Sequence, residues 1–118
     1  MRRMPPAEFS VNRRSGSGEG VEIVTPRGPI SFATAPQFKD AMDGVTTPRV
    51  ILDLTEVPSI DSVAVGVLVR AFVICNKSGR KLALVGLGYR VRNVLQLTGI
   101  DPLFDIFPTV EDAERGLA

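Results

Sequence analysis

The chain has 118 residues, with 14 Lys plus Arg against 13 Asp plus Glu, 44% apolar residues, no His, no Trp and one Cys. This is an ordinary soluble composition at the length of one domain. It excludes Ser-His and Cys-His catalytic pairs, histidine metal ligands, an imidazole switch and an internal disulfide, and a net charge of +1 supplies no field for direct nucleic-acid binding.

Residues 1–8, with Pro5 and Pro6, predict a flexible N-terminal tail ahead of a domain over 9–118. Phe9, Val11 and Arg13 alternate with polar neighbours, as in a short edge strand. The run SGSGEG over 15–20 then predicts a flexible turn, and Val21 to Thr25 a second strand, together a hairpin. Thr34, Pro36 and Gln37 have the spacing of a capping box at a helix start. Ala35, Phe38, Ala41 and Met42 follow at helical spacing, with Gly44 as the stop.

Arg49 to Leu54 reads as a buried strand. Val63 to Lys77 is almost wholly apolar, interrupted by Gly66, Arg70, Asn76 and Lys77. Its β-branched content favours strand, but its length exceeds that of ordinary strands, so the expectation is a mostly buried helix ending at Ser78-Gly79. Lys81 to Val85 is another buried strand. Tyr89 to Thr98 is a helix with Val91, Val94 and Leu95 inward and Gly99 as its stop. Phe104 to Phe107 is a last strand, and Thr109 caps a final helix with Glu111 and Asp112 in its first turn. The alternation predicts an α/β fold: a mixed central sheet, made of an N-terminal hairpin plus parallel strands, with about four helices.

Winding residues 63–77 at a hundred degrees per residue, about 3.6 residues per turn, puts Ala64, Leu68, Phe72 and Cys75 toward the sheet. Arg70 and Lys77 fall outward, flanked by Val63, Val67 and Ile74. That apolar stripe beside Ser62 is a candidate partner surface, and Ser62 sits at or beside the helix N-cap. Gly86-Leu87-Gly88 lacks the third glycine of a dinucleotide fingerprint, because Val91 occupies that place, and reads as turn glycines. Nothing in the pattern implies a cofactor, a metal site or an enzyme. No segment has the roughly 20 apolar residues of a membrane span, and MRRMPPAEFS lacks the apolar region of a secretory signal, so the expected location is cytoplasmic.

The segment from Asp53-Leu54 to Ile60-Asp61-Ser62 and on to Gly66 resembles the STAS domain family, which contains the bacterial anti-sigma-factor antagonists. GPISFATAPQFKDA over 28–41 is similar to that family's helix entry, and LQLTGI over 95–100 to its late glycine signature. The resemblance implies a regulatory interaction module with Ser62 as phosphorylation acceptor. Asp61, Val63, Val67, Arg70 and Ile74 would lie at the partner surface. Its partners would be an anti-sigma factor that is also a serine kinase and a cognate phosphatase; a homodimer is left open. Val63 and Ala64 replace the Ser-Gly pair frequent in the family, and Ser31 replaces its frequent Asp. A non-switching scaffold or accessory subunit, in a stress-signalling or transporter assembly, is therefore the alternative.

Overall fold

The computed structural model describes residues 9–118; the tail expected over residues 1–8 lies outside them. The elements appear in the expected order: β1 (Ser10–Ser15), β2 (Val21–Arg27), α1 (Ala35–Asp43), β3 (Arg49–Asp53), α2 (Ser62–Lys77), β4 (Lys81–Val85), α3 (Tyr89–Leu97), β5 (Asp105–Phe107) and α4 (Val110–Leu117). A 3-10 turn at Asp101–Leu103, not anticipated from the sequence, carries the chain from α3 to β5. The five strands lie in the order of the chain. β1 is antiparallel to β2, and every later pair is parallel.

β2 runs two residues past its expected end and includes Pro26. The missing N–H of that proline falls beyond the last β2–β3 pair, Val24 with Leu52, so no bond of that ladder is lost. α2 forms despite its β-branched content because one face of it is buried: Ala64, Val67, Leu68, Ala71 and Cys75 are all enclosed. Packing of an apolar face outweighs the propensity deficit of Val and Ile.

Sheet order decides where the helices go. Three successive parallel crossovers step across the sheet in one direction, and α1, α2 and α3 all pack on one face. That face carries the main core, from Val24, Val50, Leu52, Leu82 and Leu84 to Phe38, Leu68, Val91 and Leu95. Among the described residues α4 alone covers the other face, where Ala113 and Leu117 meet Val21, Ile23, Ile51, Ala83 and Val85. A doubly wound sheet would reverse direction at a switch point and clothe both faces; here the order never reverses.

Two local expectations are corrected and a third is met. The Thr34–Gln37 capping box does not form. Thr34 Oγ1 instead accepts from the Ser31 amide and donates to the Pro29 carbonyl, both at 2.9 Å, and the Gln37 amide reaches the Phe9 carbonyl. Gly44 ends α1 as expected, with an ordinary φ of −76°, and its carbonyl accepts from Arg13 on β1. The hairpin turn is held rather than loose: Glu114 of α4 accepts from the Ser17 hydroxyl at 2.6 Å and the Ser17 amide at 2.7 Å. The side chain that holds it is almost a full chain length away, so the local run of Ser and Gly gave no sign of it.

Candidate functional site

The site begins where β3 ends. Asp53 Oδ1 accepts from the Thr55 amide, the Val57 amide turns back to the Leu54 carbonyl at 3.0 Å, and Leu54, Val57 and Ile60 are all buried. Three anchored apolar side chains leave this connection little freedom. Ile60 then forms an isolated parallel bridge with Ile30. The Ile30 amide donates to Ser59 and the Asp61 amide donates to Ile30, which ties the approach to α2 to the approach to α1.

Asp61 is the N-cap of α2, in extended conformation (φ −109°, ψ −175°). Its Oδ1 accepts from the Val63 and Ala64 amides, each at 3.0 Å, and its Oδ2 accepts from the Phe32 amide at 2.9 Å. The Ala64 bond is the largest influence holding this carboxyl below the usual carboxylate range, with the Phe32 and Val63 amides adding to it. The capping oxygen therefore belongs to Asp61, and Ser62 stands one position into the helix, exposed, with a hydroxyl free of partners among the described residues. A hydroxyl on the first turn lies near the positive end of the helix dipole.

The residues expected at the partner surface are only partly together. Val63 is 46% exposed and Ile74 38% exposed. Val67 corrects the expected stripe: it is 9% exposed and belongs to the main core. α1 lies against α2 and turns that position inward; a helical wheel knows the sheet side but not the neighbouring helix. Arg70 is half-exposed and pairs with Asp43 of α1. Two exposed apolar residues lie outside the expected stripe: Val73 on α2, at 39%, and Phe32 ahead of α1, at 74%. The Phe32 amide is bound to the Asp61 carboxylate, which brings this residue beside Ser62 from a segment thirty positions earlier in the chain. No periodicity links the two; only an exposed aromatic within a helix-entry loop could have drawn attention to it.

Among the described residues no group of His, Cys, Asp and Glu could hold a metal ion, and no helix is long and apolar enough to cross a membrane. Gly86 has a φ of +69°, and a Cβ there would lie 2.1 Å from Thr55 Oγ1, so it is a turn glycine pressed against the β3 exit.

A STAS domain model matches residues 17–113. An anti-sigma-B factor antagonist of Listeria monocytogenes is 34% identical over 82 residues, 67% of this chain and 72% of its own. The crystal structure of an anti-sigma factor antagonist from Mycobacterium paratuberculosis superposes with a TM-score of 0.84 at 27% identity, covering 96% of this chain and 97% of that one. A sulfate transporter family protein from Wolinella succinogenes superposes with a TM-score of 0.75 at 28% identity, covering 85% of this chain and 86% of that one.

Proposed function

The chain belongs to the STAS domain family, in its anti-sigma-factor-antagonist type, and from that membership we propose that it is a cytoplasmic switch that acts by binding an anti-sigma factor and is turned off by phosphorylation of Ser62. The observation that carries the reading is the exposed Ser62 hydroxyl, without a partner among the described residues, one residue past a capping aspartate and beside exposed Phe32 and Val63.

The chemistry is a transfer from outside. Ser62 Oγ attacks the γ-phosphorus of ATP held by a partner kinase, its proton leaves to a base of that kinase, and ADP departs. This chain supplies the acceptor alone, which suits a sequence with no His. The added phosphate carries about −1.5 to −2 charges. The α2 dipole tolerates it, but the Asp61 carboxylate repels it. Beside Phe32 and Val63, such a dianion would have to lose its hydration when a partner covered the patch, and that opposes binding. A phosphatase would restore the hydroxyl and the contact.

A second reading is favoured by the Wolinella likeness and by Val63-Ala64 in place of the frequent Ser-Gly pair: a STAS scaffold or transporter accessory whose assembly ignores Ser62. One experiment separates the two. The cognate kinase and ATP should label the parent and not Ser62→Ala, and Ser62→Asp should weaken partner binding by about tenfold or more in calorimetry. Equal labelling of Ser62→Ala, or partner binding unchanged in Ser62→Asp, overturns the switch.

A further inference from the structure

The molecule contains a cavity that the Ser62 surface does not use. It lies between α1 and α2, toward the end of α2 remote from Ser62, and has a volume of about 300 Å³. Met42, Val45, Val67, Ala71 and Cys75 form its apolar wall, and Ile74, 38% exposed, stands at its mouth. The volume is at the lower end of the range for small-molecule pockets, roughly 300–1,000 Å³.

The charged groups lining the cavity are Asp43, Arg70 and Arg80, which leave it one net positive charge. Arg70 reaches it but is already neutralised by Asp43. Arg80 is different. It follows the left-handed Gly79 that closes α2, where the Arg80 amide donates to the Cys75 carbonyl at 2.8 Å. This fixes a half-buried guanidinium at the cavity edge. Its Nε donates to the Thr47 carbonyl at 2.9 Å and its Nη2 to the Val45 carbonyl at 2.7 Å, which leaves other N–H donors unused. Among the described residues no carboxylate pairs with it. A rigid, partly desolvated guanidinium without a counter-ion, beside an apolar hollow, is complementary to a carboxylate with an aliphatic tail.

We propose that this cavity binds a small apolar carboxylate, its tail between α1 and α2 and its carboxylate on Arg80. The site is independent of the switch at Ser62. Sodium octanoate is the probe, titrated into the full chain by calorimetry and followed by methyl NMR. Saturable binding is expected, with shifts concentrated at Met42, Val67 and Ile74. Octanol should bind about tenfold more weakly, as expected for loss of one charge-assisted hydrogen bond. Ala71→Leu, which fills the hollow, and Ile74→Phe, which crowds its mouth, should each weaken octanoate, and the circular dichroism of each variant checks its folding. Ser62→Asp should bind octanoate as the parent does, so loss of the switch reading would leave this site standing. No saturable binding at millimolar octanoate, equal binding of octanol, or full binding by a folded variant with the hollow filled overturns the proposal.

Discussion

At the scale of single residues, Asp61 and Ser62 divide a task that the sequence places on either of them. Both can cap a helix, but a carboxylate has two oxygens and here serves three amides, from Val63, Ala64 and Phe32. A hydroxyl could not do so, and Ser62 is released to face solvent. This arrangement predicts a pH dependence. The folded-state pKa of Asp61 is lowered, with the Ala64 amide as the first cause. Its contribution is thus fully present above its unfolded value and is lost as pH falls through the lower folded value. The urea midpoint should decline below about pH 5. Asp61→Asn should flatten part of that decline, because an amide caps without titrating, and an unchanged acid profile in this variant would contradict the assignment.

At the scale of elements, α2 shows why residue-level faces mislead. Its sheet-facing side follows from periodicity, and Ala64, Leu68 and Cys75 are buried as expected. Phe72 is only partly covered and meets Phe104 edge-on, with ring centroids 5.8 Å apart. α4 presents the reverse case, a short helix whose polar side holds a distant turn. The Ser17 hydroxyl and the Ser17 and Gly18 amides keep the Glu114 carboxyl below its ordinary range, the hydroxyl bond contributing most. Glu114→Ala should therefore release the hairpin turn. Amide exchange at Ser17 and Gly18 should quicken by about tenfold, as expected for loss of a bond worth roughly 1 kcal/mol or a little more. Exchange at the parent rate would mean that the turn holds itself.

At the scale of the whole molecule, one crowded face carries the larger part of the buried apolar core. Phe38 of α1 is fully buried in that core. Phe38→Ala should cost about 3–5 kcal/mol, a large share of an ordinary domain's stability, and chemical denaturation should show the loss as a lower midpoint at similar slope. The sequence alone determined the α/β class, the order of elements, the buried strands and the Asp61-Ser62 junction. Each of these depends on short-range chemistry: period, caps and turn glycines such as Gly79 and Gly99, both at positive φ. The tertiary structure decided which helices share a face, that α1 covers Val67, that Phe32 stands beside Ser62, and that Glu114 holds the hairpin turn. It also decided that Arg80, without a carboxylate partner among the described residues, lies at a cavity. Those outcomes follow from the order of strands in the sheet and from contacts between residues far apart in the chain. A local pattern carries no information about what lies across from it, and here that is what turned an expected apolar stripe into core and left a different apolar residue exposed beside Ser62.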